Sequence, residues 1–432
     1  MTLSRHNIKV LRANIFLLLI LLICGISEVM SQNMNSYITL HVKKGTNIVL
    51  DFYAEPKTTV KIVSGKTYTM VIDTAPPGHI HYNVEEITAY ADTMTIFGTI
   101  YEFLCSNNDI FYIDASHCPS LSRLECNGDQ LDSLNVKGLS LLRELFCLSN
   151  HLTTLDLSGC SSLQYLECQD NIISSIDISS CQDLEWMFCY YNRISDLNIS
   201  QNVHLGVLDC RYNQLTNLNV KNNTLLGTLF CGSNQLTSLD VSSLPYLGDL
   251  NCSDNLLTSL DVSKNNYLQY LTCYHNLFTT ASFDELMCSL PDRSRNRFGL
   301  FKPFYDNKDS NIFIFTSTNS FNAEIKNWYI SPFQGSGMSI ITTGTFDCAT
   351  VNINEPETEH VFGVYPNPAN TTIHIHGGSG NILVYDITGR LIKNVPTGED
   401  VSLDISSWTS GMYIVRCGRH TVKFIKYTSP NR

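Results

Sequence analysis

The chain has 432 residues, 43% hydrophobic and 16% charged, so most of it is expected to fold, into roughly two to four domains, and not to remain disordered. Its formal net charge of −12 argues against nucleic acid or an anionic membrane surface as the main partner.

Residues 1–31 have the pattern of a secretory signal peptide. Arg5, Lys9 and Arg12 precede an apolar run from Ile15 to Ile23, and Val29-Met30-Ser31 offers tolerably small residues for cleavage before Gln32. The run is too short to span a bilayer, which takes about 20 apolar residues. Cys24 invites a lipoprotein reading, but Ile23 stands where a small residue is wanted. No later segment is long and apolar enough for a transmembrane helix, so the mature protein is expected outside the cytoplasm. Residues 32–98 read as a β-rich N-terminal cap. Strands are expected over 38–42, 59–63 and 68–72, where apolar and β-branched residues alternate between Gly and Pro.

Residues 99–280 repeat. Cys105, Cys126, Cys147, Cys168, Cys189, Cys210, Cys231, Cys252 and Cys273 recur at a constant spacing of 21. Three residues after each stands Asn108, Asp129, Asn150, Asn171, Asn192, Asn213, Asn234, Asn255 or Asn276, and apolar residues recur two before, five after and eight after. A unit this short cannot bury its own apolar face, so stacked neighbours must complete one continuous core. The pattern resembles the 21-residue leucine-rich repeat, in particular the cysteine-ladder form of some bacterial internalins, over about Ile100 to Thr280. The resemblance implies a curved solenoid of short parallel β-strands and short return segments, in which the Asn side chain serves backbone groups at a tight turn that water cannot reach.

Sixteen cysteines in an exported chain would ordinarily suggest a disulfide framework. A row of parallel side chains, odd in number, instead points each ladder thiol inward as a small buried hydrophobe, with pairing between adjacent rungs as the alternative. Zinc is disfavoured, because it needs four converging ligands and not a line. Cys118, Cys160 and Cys181 lie 13 residues after ladder positions; Cys160 and Cys181 face each other on neighbouring coils and could bond if their geometry suits. Cys288 with Cys348 is the other candidate pair.

Residues 281–351 are expected to close the array. The sequence predicts a helix over 282–290, with Ser282 and Glu285 as a capping box and Pro291 beyond its end, a second helix over 319–328 and a strand over 339–345. Residues 352–359, NINEPETE, form an acidic linker. Residues 360–432 alternate short strands with Gly and Asp turns and predict a β-sandwich. Its motifs are Tyr365-Pro366-Asn367-Pro368 in YPNPAN, Tyr385, Asp386, Gly389 and Arg390 in YDITGR, Gly411 and Tyr413 in SGMYIV, and Lys423 in the closing VKFIK. In this order they resemble the type A C-terminal sorting domain of the type IX secretion system, over Val361 to about Tyr427. That resemblance implies a Bacteroidetes-type bacterium, Sec export to the periplasm, engagement of the type IX machinery and passage through the outer membrane. In that family the domain is usually removed as the cargo is fixed to surface lipopolysaccharide or released. Cys417 has no assigned role.

In a leucine-rich repeat the positions −3, −1, +1 and +2 relative to the ladder residue project from the concave sheet. They hold Tyr165, Glu167, Trp186, Phe188, Tyr190, Tyr191, Asp209, Arg211 and Tyr212, flanked by Phe146 and Phe230, with Tyr270 and Tyr274 near the far end. Aromatic and Arg side chains dominate interface hot spots, and nine rungs about 4.8 Å apart offer a face of roughly 40 Å, suited to a protein domain or an extended glycan. The alternative is cross-strand stacking that only stabilises the sheet. The −1 column alternates Glu125, Phe146, Glu167, Phe188, Asp209, Phe230, a trace of a 42-residue duplication. From Tyr101 to Thr280 there are 7 Lys plus Arg against 19 Asp plus Glu, a net of −12. Asp156, Asp177, Asp240 and Asp261 read as turn caps, or alternatively as calcium ligands.

The expected function is that of an exported, surface-displayed binding protein or adhesin that meets a host or bacterial protein or glycan with its concave face and needs no cofactor. The alternatives are glycan capture for nutrition and a secreted hydrolase using the array to hold substrate. Against a hydrolase, the sequence has no nucleophile elbow, no HExxH and no Cys paired with a plausible base outside the ladder. His79 with His81 and His374 with His376 have the spacing of metal pairs, but histidines two apart on a strand are more often plain surface residues.

Overall fold

The computed structural model describes residues 34–426 apart from 55, 57, 72–82, 296, 307–308, 310, 334–341, 349–362, 366–368, 377–380, 388–389, 397–399 and 418–419. The signal-peptide segment, the acidic linker, His79, His81, Pro366, Asn367, Pro368 and Gly389 lie outside the described residues. The chain divides into two compact units, Met1–Ala349 and Thr350–Arg432.

The first unit is a leucine-rich-repeat solenoid. In each coil the three residues before the ladder cysteine form a strand whose middle residue is buried, as in Tyr165–Glu167 and Trp186–Phe188. Neighbouring strands are parallel and in register, with Tyr165 opposite Trp186, Leu166 opposite Met187 and Glu167 opposite Phe188. The 21-residue period thus stacks Leu on Leu and Cys on Cys. Each fully buried Leu contributes roughly 1.5–3 kcal/mol. Thirteen strands form the concave sheet; at its N-terminal end Asn47–Ala54 and Asn83–Thr88 extend it antiparallel to Ile100–Leu104. A second sheet runs from Ser133–Asn135 and Ile110–Asp114 into the cap strands Tyr37–Val42, Thr93–Phe97, Thr59–Ser64 and Lys66–Val71. The cap therefore continues both walls of the first coils and covers the open end of their core.

All nine ladder cysteines are buried and unpaired, and so are Cys118, Cys160 and Cys181; the Cys160–Cys181 bond does not form. Cys288 and Cys348 are joined by a disulfide. Burial raises the ladder thiols, to about 12 for Cys168, where the Glu167 charge adds to it. Because the thiolate is the reactive species, the array thiols of the native protein will not react with Ellman's reagent at pH 8 and will do so once guanidinium unfolds the chain. A fast-reacting native array thiol would contradict the inward ladder.

Each ladder Asn locks two coils. Asn192 Nδ2 donates to the carbonyls of Cys168 at 2.9 Å and Cys189 at 3.2 Å, and its Oδ1 accepts from Ile173 N at 2.9 Å. The first, Asn108, uses the cap strand in place of a preceding coil, exchanging hydrogen bonds with the Val49 N–H and carbonyl at 2.8 and 3.0 Å. A second row, 13 residues after ladder positions, is mixed in sequence, and four of its members share one kind of acceptor. Asn202, Asn223 and Asn265 donate to the carbonyls of Ile178, Ile199 and Val241, each 24 residues back, and Cys160 Sγ reaches the Val136 carbonyl at the same offset.

The closing segment differs from expectation in three places. The helix is Thr280–Ser289, and its capping box is made by Thr279 and Ser282, so Ser282 is the third helical residue and not the cap. Of the helix expected over 319–328 only Phe321–Glu324 forms, followed by the strand Trp328–Ile330, which extends the concave sheet, and an unexpected helix, Asn311–Thr316, precedes it. Residues 342–345 form no strand.

The second unit is a sandwich of two antiparallel sheets. One holds Gly363–Tyr365, Thr372–His376 and Asp400–Asp404; the other holds Leu391–Val395, Ile382–Asp386, Gly411–Cys417 and His420–Lys426. Ile373, Ile375, Val384, Val415 and Phe424 fill the space between them. Among the described residues no helix is long and apolar enough to cross a membrane.

Candidate functional site

The concave sheet brings the sequence-predicted residues into three adjoining columns. At −3, Glu144, Tyr165, Trp186 and Val207 lie side by side; at −1, Phe146, Glu167, Phe188 and Asp209 do the same. The third column lies at +2, where every rung turns through a left-handed residue, φ 51–64°, from Asn107 and Gly128 to His275. That turn takes the chain out of the sheet within one residue. Gly adopts it at no cost, and Asn and Asp at little, whereas a bulky side chain there is a steric outlier. Two consecutive rungs nevertheless carry tyrosine: Tyr191 with φ 51° and Tyr212 with φ 53°.

The rings of these columns are ordered by one another. Tyr165 stacks on Trp186 with centroids 5.8 Å apart and tilts against Phe146 at 5.1 Å and Phe188 at 5.8 Å; Tyr191 and Tyr212 stack at 4.2 Å. Cross-strand stacking is thus real, and it leaves much ring surface in solvent. Trp186 is 45% exposed, Tyr191 51% and Tyr212 43%, while Phe146, Phe188, Tyr190 and Phe230 are half-buried between them.

Asp209 departs from the expected exposed position. It is only 2% exposed, because the Arg211 side chain folds over it and donates Nε to Oδ1 at 2.9 Å and Nη2 to Oδ2 at 2.6 Å. The same guanidinium lies 5.0 Å from the Phe230 ring. Of the far-end residues, Tyr270 is exposed, but Tyr274 is buried against Tyr305 and Phe333 of the closing segment. Next to it, His275 Nδ1 lies 2.7 Å from Asp254 and Nε2 lies 3.4 Å from Asp309, a cluster the sequence reading missed because Asp309 is 34 residues further on and outside the repeat. It fastens the closing segment to the last rung.

The acidic row is spent on backbone. Asp156, Asp177, Asp240 and Asp261 accept the N–H of Ser158, Ser179, Ser242 and Ser263 at 2.8–2.9 Å, the turn-capping arrangement. Among the described residues no group of three or more His, Cys, Asp or Glu has metal-binding geometry.

In the second unit, Asp386 closes its turn by accepting from Arg390 N and Nε, both at 3.0 Å. The Tyr413 hydroxyl donates to the Thr409 carbonyl at 2.9 Å, and its ring stacks on Phe424. Tyr385, Gly411 and Lys423 lie on strands of the same four-stranded sheet, and Tyr365 lies on the other sheet.

Comparison with solved structures finds bacterial leucine-rich-repeat proteins. A leucine-rich-repeat protein of Leptospira interrogans is 19% identical, with 54% of this chain and 72% of that one covered and a TM-score of 0.38. The functional domain of InlJ from Listeria monocytogenes, described as including a cysteine ladder, is 20% identical over 79% of this chain and 94% of that one, with a TM-score of 0.30. An internalin, InlF, of the same organism is 16% identical over 54% and 87%, with a TM-score of 0.34. No curated protein sequence matches. Residues 363–427 match the family model of the secretion system C-terminal sorting domain. The chain therefore ends in a type IX sorting domain, which directs a cysteine-ladder leucine-rich-repeat protein to the cell surface or the extracellular space.

Proposed function

We propose that this exported protein is a surface-displayed binding protein, an adhesin, that holds a host or bacterial protein or glycan on its concave face, and that the sorting domain engages the type IX machinery for delivery. The observation that carries the reading is the pair Tyr191 and Tyr212. At these turns Ser149 and Ser233 serve other rungs with the same backbone, so the fold does not ask for tyrosine. A bulky ring at positive φ costs of order 1–3 kcal/mol, and half-exposed rings recover little of that by burial. Local strain held against propensity fits a surface kept for contact, and Trp186 extends that surface across the sheet.

The test is a variant combining Trp186→Ala with Tyr191→Ser and Tyr212→Ser, the serines copying neighbouring rungs. Attachment of displaying cells, or capture of the partner by purified protein, is expected to fall at least about tenfold, as for loss of interface hot spots, while the melting temperature does not fall. Undiminished attachment by the folded variant would remove the concave face from the function.

A further inference from the structure

The concave sheet twice fills a cradle of aromatic ring and carboxylate with one of its own arginines. The Arg123 guanidinium lies 4.8 Å over the Phe146 ring and donates to Glu144 at 2.7 Å and Glu125 at 3.1 Å. Arg211 sits in the same way on Phe230 with Nε and Nη2 on Asp209. Between these two lies a third set of the same groups. Trp186 stacks on Tyr165, and the Tyr165 hydroxyl donates to Glu167 Oε1 at 2.7 Å. Gln169 Nε2 donates to the other oxygen of Glu167 at 3.0 Å, while the Gln169 Oε1 has no hydrogen-bond partner, so the local field is negative. Among the described residues no Lys or Arg pairs with Glu167 or lies over Trp186. The chain supplies the cation at the first two sets and leaves the third open on an exposed ring.

We propose that the partner is a protein whose basic segment lays an arginine side chain on Trp186 with its guanidinium against Glu167. This rests on the concave-face reading and names the partner chemistry for it. A guanidinium is planar, stacks on an indole face and offers forked donors to a carboxylate at once, which neither a sugar nor a lysine ammonium does. On the concave columns Glu125, Glu144, Glu167, Asp209 and Asp249 outnumber Arg123 and Arg211, which draws a basic segment toward the face and repels an anionic glycan. A neutral glycan would use the rings but gain nothing from Glu167.

The experiment uses the full chain with hexa-arginine and hexa-citrulline peptides as probes, citrulline having the shape of arginine without its charge. Binding is measured by calorimetry for the native protein and for Glu167→Gln, Trp186→Ala and Asp196→Asn. Asp196 is exposed outside the strand columns, so its variant makes the same charge change away from the cradle. Hexa-arginine is expected to bind about tenfold tighter than hexa-citrulline, and Glu167→Gln and Trp186→Ala to weaken it about tenfold each, while Asp196→Asn changes it by less than about twofold. Equal binding of the two peptides, or equal effects of Glu167→Gln and Asp196→Asn, would overturn the arginine assignment. Cell attachment separates the two readings. Loss in Trp186→Ala with no effect of Glu167→Gln or of salt leaves the concave face standing and sinks the arginine; no loss in either variant sinks both.

Discussion

Asp129→Asn will stabilise the protein at neutral pH, and the gain will grow from pH 4 to pH 8. Asp129 occupies the second rung of a row that holds Asn everywhere else from Asn108 to Asn276. Its carboxyl is buried; Oδ1 accepts the Asn108 N–H at 2.7 Å, and Oδ2 has no hydrogen-bond partner. In the rungs from Asn150 onward the corresponding Nδ2 donates to two Cys carbonyls, a service an ionised carboxylate cannot perform. Burial, with a smaller contribution from the Asp109 charge and against the pull of the Asn108 N–H, raises Asp129 from 3.8 to about 8. The folded state thus binds a proton that the unfolded chain releases near pH 4. Stability owed to the neutral acid is complete below about pH 4, drains away as the pH rises to about 8 and is constant above that. An amide does not titrate, so the substituted side chain keeps its donors throughout, and the difference at pH 8 is expected to be on the order of 3 kcal/mol. Urea unfolding of both proteins at pH 5 and pH 8 measures it. An equal difference at the two pH values would mean that Asp129 is ionised in the fold at both.

Asp129 also shows what the sequence could carry. The ladder, its register and its inward direction were legible because one residue type returned at a fixed interval, and a repeat that stacks on itself has few other ways to pack. The Asn-to-Asp exchange was visible, but its electrostatic consequence needed the burial. The row 13 residues after the ladder was legible only at Cys118, Cys160 and Cys181, because Leu139, Asn202, Asn223, Leu244 and Asn265 do not look like members of it. Cys160, Asn202, Asn223 and Asn265 show a common role only when the carbonyl 24 residues back is seen to be the acceptor of each. The strand Asn47–Ala54, which joins the cap to the array, lay outside the expected strands although its buried and exposed residues alternate plainly. Asp209 was placed in solvent by its column and is covered by Arg211 two residues on, a contact between neighbours on one face that periodicity alone does not reveal. The left-handed turn had no local signal at Tyr191 or Tyr212, where propensity points the other way.

Asn192→Leu will cost roughly 3 kcal/mol, since a side chain of similar size abandons two buried Cys carbonyls and the Ile173 N–H, each expensive to leave unpaired. Asn276→Leu, four rungs on, abandons the equivalent groups of Cys252, Cys273 and Leu257 and is expected to cost about the same. The two variants will part in binding. Asn192 Nδ2 also reaches the Tyr190 carbonyl, and its own N–H donates to the Tyr212 carbonyl at 3.2 Å, so it holds the turn that presents Tyr191 beside Tyr212. Asn276 holds a turn at His275, whose ring stacks on Tyr305 of the closing segment, four rungs from Tyr191. Partner binding measured under conditions where both variants are folded will therefore fall in Asn192→Leu and persist in Asn276→Leu, although neither side chain is exposed. Because each coil leans only on its neighbours, damage at the far rung has no route to the tyrosine pair other than general unfolding. If both variants lose binding in proportion to their lost stability, the turn at Tyr191 has no special part in recognition.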